Sequence, residues 1–259
     1  MKMFADAPAF WRDRFQASAI HLGLSAVVAL LAGLLVFAVW YPYPYRELSG
    51  GRELFLLVVT VDVILGPLIT LAVFNRTKPW SELRRDLSIV ALIQLAALGY
   101  GLWTVFVARP VHMVFEIDRF RVVHAIEINP ELLAKTRSDI NPMPLLGPTL
   151  VAMRPFASEQ ERMDATMAAL QGSSLGARAD FWEPYENAKM EVLKEAKPIT
   201  FLLKHLPLKA PQIEQAIKET GRTADSLVYL PLAGRKEYWT VLLDPLSAQV
   251  VATIPVDPY

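Results

Sequence analysis

Residues 54–74 read LFLLVVTVDVILGPLITLAVF, an apolar run with a single charge, Asp62, near its middle. A helix of about 20 such residues crosses the roughly 30 Å hydrocarbon core of a bilayer. A carboxylate near the midplane costs at least about 2.5–3.5 kcal/mol on insertion scales, so such a residue faces protein or water and often marks function. Gly66-Pro67 follows one turn later, and the proline predicts a kink because it removes a backbone donor and crowds the preceding turn.

Two more runs are long enough to span. Residues 15–45 carry no charged side chain, with the apolar centre at about 18–40, and 87–108 read LSIVALIQLAALGYGLWTVFVA. The first exceeds the 7–15 apolar residues of a signal-peptide core and is read as an anchor that stays. Ala29/Gly33 and Ala97/Gly101 are small-xxx-small pairs, which either let helices approach closely or reflect how common small residues are in membrane helices. A hydrophobic content of 53% and a mean hydropathy of +0.30 fit this reading. The net charge of zero argues against a nucleic-acid partner, and the absence of cysteine excludes thiolate metal sites and disulfides.

Lys2, Arg12 and Arg14 precede the first span, and Arg76, Lys78, Arg84 and Arg85 lie between the second and third. The connection at 46–53 has only Arg46 and Arg52, each beside a glutamate. The positive-inside rule therefore predicts a cytoplasmic N-terminal segment, 1–17, and a cytoplasmic 75–86 loop. Three crossings within a membrane domain at 18–108 then place 109–259 outside, in the periplasm of a Gram-negative cell. Trp40, Tyr41, Tyr43, Tyr45, Trp103 and Phe106 supply interfacial aromatics at the outer boundaries.

The predicted outer domain opens with VHMVFEID at 111–118, a period-2 strand, and 121–128 reads as its hairpin mate. Residues 129–148, with four prolines, read as loop. Ser158-Glu-Gln-Glu161 is a capping box for a helix with Met163, Met167 and Leu170 on one face. Pro184 starts a helix running to about Lys197, and Pro211 starts another that Gly221 stops. Strands are predicted at 226–232, 237–243 and 248–254. The fold class is a membrane protein with three transmembrane helices followed by an α+β extracytoplasmic domain, with an antiparallel sheet and about three helices.

Signatures of catalysis are missing: there is no P-loop, G-x-S-x-G, HExxH or dinucleotide-binding glycine pattern. No cofactor is expected. His112, Glu116, Asp118 and His124 form an imidazole–carboxylate set that a metal would accept, but such alternation is also what a solvated strand face shows. An intramembrane aspartyl protease needs two carboxylates sharing a proton, and Asp62 is the sole acid in the three spans. Two readings of Asp62 remain: a fixture bonded within the bundle to Gln94, Thr60 or Tyr100, or a contact for a partner's membrane helix.

The run WYPYPYRELSGGRELFLLVVTVDVILGPLITLAVFN at 40–75 resembles the type IV pilin accessory proteins of the TfpX/TfpZ type. So does QLAALGYGLWTVFVARPVHMVFEIDRFRVV at 94–123. The resemblance covers roughly 15–125. It implies a non-enzymatic inner-membrane chaperone dedicated to a type IV major pilin, contacting the pilin helix and head and facing the pilus assembly platform. It puts candidate partner contacts at Asp62, Gly66, Pro67, Tyr100, Arg109, Phe115, Glu116, Asp118 and Arg119. The competing expectation is a membrane-anchored periplasmic sensor or ligand-binding module, with a membrane hydrolase third.

Overall fold

The computed structural model describes residues Ala7–Tyr259, so Lys2 and the first part of the 1–17 segment lie outside the described residues. Four helices come first: α1 (Ala7–Leu35), α2 (Tyr45–Leu48), α3 (Gly51–Val73) and α4 (Trp80–Val107). α1 is extended by a π-helical turn, Val36–Trp40. It begins well before the predicted span, so 7–17 is helical and continuous with it. Three helices, from Phe10–Trp40, Gly51–Val73 and Trp80–Val107, are long and apolar enough to cross a membrane. Most of their leucines, Leu24, Leu57 and Leu92 among them, are exposed, as a lipid solvent requires.

The chain divides into two compact units. One holds residues up to Val39 together with Gly51–Phe106; the other holds Trp40–Gly50 together with Val107–Tyr259. In the first unit α1 packs along α3. Gly33 makes room for the Phe55 ring, which a Cβ would meet at 3.3 Å, and Gly101 lets α4 come so close that a Cβ would lie 2.5 Å from Val58 Cγ1. One member of each small-residue pair is therefore a real contact, whereas Ala97 faces outward.

The second unit is built on an eight-stranded mixed sheet. Its elements are β1 (Pro110–Glu116), β2 (Arg119–His124), α5 (Pro130–Leu133), β3 (Thr149–Met153), α6 (Glu159–Leu170), β4 (Trp182–Pro184) and α7 (Tyr185–Glu195). Then come β5 (Lys197–Pro198), α8 (Ile199–His205), α9 (Ala210–Glu219), β6 (Val228–Ala233), β7 (Tyr238–Leu243) and β8 (Val250–Ile254). The sheet order is β4-β3-β1-β2-β6-β7-β8, with β5 on β6.

The predicted antiparallel sheet is corrected to a mixed one. The hairpins are antiparallel, but β1–β3 and β2–β6 run parallel. Parallel neighbours need long connections, and 117–148 (between β1 and β3) and 125–227 (between β2 and β6) supply them. The first hairpin turns at Ile117-Asp118, with Ile117 at φ 56°. β3 and α8 were not predicted. α6 was, and Ser158 Oγ caps it by accepting from Glu161 N at 3.1 Å. Its Met163, Met167 and Leu170 face outward, however, and Ala165 is the residue it buries.

The connection between the first two spans, which the sequence reading left in the membrane domain, belongs to the second unit. Leu48 is fully buried in the same cluster as Phe115, Phe120, Leu232 and Trp239. Its carbonyl accepts from Arg235 N at 3.1 Å, and a Cβ on Gly234 would lie 2.7 Å from Leu48 Cδ2. Tyr45 Oη donates to Met113 Sδ at 3.7 Å, and the Tyr43 and Trp239 rings lie 6.3 Å apart. Gly50, at φ 69°, ends α2 in the left-handed conformation that glycine adopts at little cost, after which α3 begins at once.

Candidate functional site

The membrane unit contains a cleft of about 260 Å³ to which all three long helices contribute. His21 and Ser25 come from α1, Asp62 from α3 and Gln94 from α4, with Leu24, Val28, Leu95 and Leu98 completing the walls. Asp62 is half-buried. Among the described residues its carboxylate takes no hydrogen bond and no ion pair.

The groups around Asp62 are held by other partners. Gln94 Nε2 donates to the backbone carbonyl of Asp62 at 3.1 Å, not to its carboxylate. That bond falls on the turn loosened by Pro67, whose ring leaves the Val63 carbonyl without its helical donor. Gly66 makes it possible, because a Cβ there would lie 1.8 Å from Gln94 Nε2. His21 Nδ1 shares a hydrogen bond with Thr70 Oγ1 at 2.5 Å, and Ser18 Oγ donates to the Pro67 carbonyl at 2.9 Å. Arg14 Nη1 reaches the Leu71 carbonyl at 3.3 Å, satisfying one of the acceptors a helix leaves open at its C-terminus. The polar atoms of α1 and α4 thus fasten α3 around and beyond Pro67, and the Asp62 carboxylate is left facing the cleft.

Of the predicted contacts, the structure brings together Asp62, Gly66 and Pro67. Tyr100 is exposed, its ring tilted against Trp103 at 6.0 Å, and does not reach Asp62. Thr60 makes no bond to Asp62 either. His21, which is not among the predicted contacts, is also a wall of the cleft. The available signal was its spacing from Ser18 and Ser25 on one face of α1, at i−3 and i+4.

The positions in the second unit do different work. Phe115 is buried, with its ring 5.7 Å from Phe120, so its part in the motif is packing and it has no surface for a partner. Glu116 is buried too. Its carboxylate accepts from Arg121 Nε at 2.6 Å and from Gly176 N at 2.7 Å, pinning the 172–177 turn to β1. Arg109 lies in the interior and donates from Nη2 to the Pro144 carbonyl at 3.4 Å. Asp118 and Arg119 pair with each other at 2.8 Å on the hairpin tip, where they are accessible.

His112, Glu116, Asp118 and His124 do not converge, and no group of three or more metal-ligating side chains occurs among the described residues. His112 is fully buried against Trp182. Nε2 donates to the Pro142 carbonyl at 3.2 Å and Nδ1 accepts from Thr149 Oγ1 at 2.7 Å. Burial pushes its pKa down to about 4, so the ring is a neutral strut. His124 Nδ1 bonds Glu127 Oε1 at 3.0 Å. A depression of about 490 Å³ beside α9 in the second unit is lined by Glu214, Lys218 and Arg222 and is open, with Arg222 already paired to Asp244.

Comparison with known proteins shows that residues 9–50 match a family model described as "Fimbrial assembly protein FimB". Two fimbrial assembly proteins of Dichelobacter nodosus, from serogroups I and E1, are each 32% identical over 244 residues, covering 93% of this chain and 95% of the relative. A third, from serogroups C1 and C2, is 43% identical over 106 residues, 41% of this chain and 81% of that protein. No solved structure matches.

Proposed function

The chain belongs to the family of fimbrial assembly proteins, and on that premise we propose that it is a non-enzymatic inner-membrane accessory protein for a type IV pilin. It holds the subunit in the bilayer before the subunit enters the fibre. The observation that carries this reading is the Asp62 carboxylate, half-buried and without a hydrogen bond among the described residues, in a cleft between three apolar helices. In hydrocarbon a carboxylate needs a donor, and a client's membrane helix with a polar side chain at that depth supplies one. The cleft walls offer leucine and valine to the rest of such a helix.

Orientation follows from two supports. Arg76, Lys78, Arg84 and Arg85 favour a cytoplasmic 75–86 loop and N-terminal side. Trp40–Gly50 and Val107–Tyr259 share one compact unit, which supports a placement of both on one face of the bilayer after an odd number of crossings. That face is the periplasmic one in this reading.

The test is site-specific photo-crosslinking in cells from Leu24 and Leu95, on the cleft walls, with Asp62→Asn and Asp62→Leu as variants. Wild-type protein is expected to give pilin adducts at both positions. Asp62→Leu should cut their yield about tenfold or more, while Asp62→Asn, which keeps hydrogen-bonding capacity, should cut it less. Normal pilin levels in a deletion strain, with no pilin adduct from any position of the chain, would sink the reading.

A further inference from the structure

The two sides of the sheet end differently. One edge is β4, three residues long and carrying Glu183 and Pro184. A short strand with a charge and a proline is how natural sheets close an edge. The other edge is β8, whose five residues, VVATI, contain neither charge nor proline. β7 satisfies one side of its backbone. Among the described residues, no backbone group of 250–253 bonds to anything outside that ladder.

The faces of β8, unlike its edge, are covered. Val250 packs against the cluster around Leu243 and Trp239, and Val251 and Ala252 pack against Ile213, Ile217 and Leu242. The strand is therefore held in register, and what remains open is a row of backbone donors and acceptors. Left uncovered, an apolar edge of this kind invites aggregation.

We propose that β8 is the docking edge for an extended segment of the pilin subunit's extracytoplasmic part, which adds alongside it as a further strand. The inference rests on the pilin-accessory reading and goes beyond it. Chemistry selects the occupant. Only another extended backbone presents matching N–H and C=O groups at the strand repeat, about 3.4 Å per residue and about 4.8 Å away. Strength selects between client and second copy. A strand of five residues is about 17 Å long and cannot alone bury the roughly 1,200 Å² that a stable dimer needs. Each added ladder bond is worth only about two- to tenfold in affinity, which suits a client that must be released.

The experiment places a photoreactive amino acid at Thr253 in the full-length membrane protein, with Leu208 on the exposed turn before α9 as the control position. Pilin adducts are expected from Thr253 and not from Leu208, and peptide mapping should put them in one contiguous client segment. Hydrogen exchange of amides 250–254 should slow at least threefold when pilin is added to the protein in nanodiscs. Thr253→Lys, a charged edge residue, should abolish that slowing without changing the outer unit's melting temperature. A pilin adduct from the membrane cleft but none from Thr253 overturns this inference and leaves the accessory reading standing. A homodimer adduct at Thr253 overturns it in favour of self-association. The absence of pilin adducts at every position removes both.

Discussion

The unit of long apolar helices and the sheet-bearing unit are held together by opposite means. The sheet-bearing unit has three buried apolar clusters, from Leu48 and Phe115 through Trp182 to Ile213. The membrane unit keeps its apolar side chains outward and joins its helices through Ser18, His21, Gln94 and two glycines. The difference is one of solvent. Water drives apolar burial, about 25 cal/mol per Å², whereas lipid tails are as apolar as leucine and leave packing and hydrogen bonds to do the joining. Where burial gives so little, a carboxylate without a hydrogen bond is a strong hint of something still to be bound.

The comparison breaks first at Leu48. Leu48→Asp places an unpaired charge in the outer core, a change expected to cost several kcal/mol and to abolish the protease resistance of 107–259 in membranes. The helical content of the spans should persist. Leu48→Ala is expected to cost about 2–5 kcal/mol. Wild-type protease resistance in Leu48→Asp would show that the loop is no part of that core. A fragment beginning at 107 is expected to be destabilised for the same reason.

Acidification separates the units next. Because the His112 pKa is depressed to about 4 in the folded state from an ordinary 6.5, the unfolded chain binds the proton first as pH falls. The stabilising contribution is complete above about pH 6.5 and is lost progressively down to pH 4, about 3 kcal/mol in all. Denaturation followed by tryptophan fluorescence at pH 7 and pH 4.5 should show that loss, and His112→Gln should flatten it. An unchanged pH profile in His112→Gln would assign the acid sensitivity elsewhere.

The smallest effects fall in the membrane unit and grade its contacts. Gly101→Ala meets the stiff Val58 side chain and is expected to cost about 1–3 kcal/mol by overpacking. Gly66→Ala meets the flexible end of Gln94, which swings away and forfeits one hydrogen bond, about 0.5–1.5 kcal/mol. Gly23→Ala, with nothing within 4 Å, is the control expected to do nothing. Thermal stability in detergent reads all three, and an equal cost at Gly23 and Gly101 would refute close helix approach as the cause.

The legible parts of the chain were those whose signal is local. Uninterrupted apolar runs marked the spans, alternation marked β1, and Ser158, Pro184 and Pro211 marked helix starts. The face of α6 was misread because Met163, Met167 and Leu170 form a helical stripe whichever way the helix is turned. Only packing reveals that small Ala165 points inward. β3 was missed because five residues after a proline-rich loop carry little period, and their partner β1 is more than thirty residues away. For the site, Asp62, Gly66 and Pro67 were visible as a charge and a helix breaker in an apolar run. His21 was not singled out, since nothing local shows which helix face meets α3.

Sequence alone determined that three helices are long and apolar enough to cross a membrane, that a mixed α and β region follows, and that one acid lies within such an apolar run. Those conclusions depend on composition along a single helix or strand, which the solvent reads directly. Tertiary structure decided that Trp40–Gly50 completes the outer core and that the sheet is mixed. It also decided that Gln94 bonds the Asp62 backbone and leaves the carboxylate facing the cleft. Each of these joins residues far apart in the chain, and their pairing depends on which surfaces fit once the local elements exist.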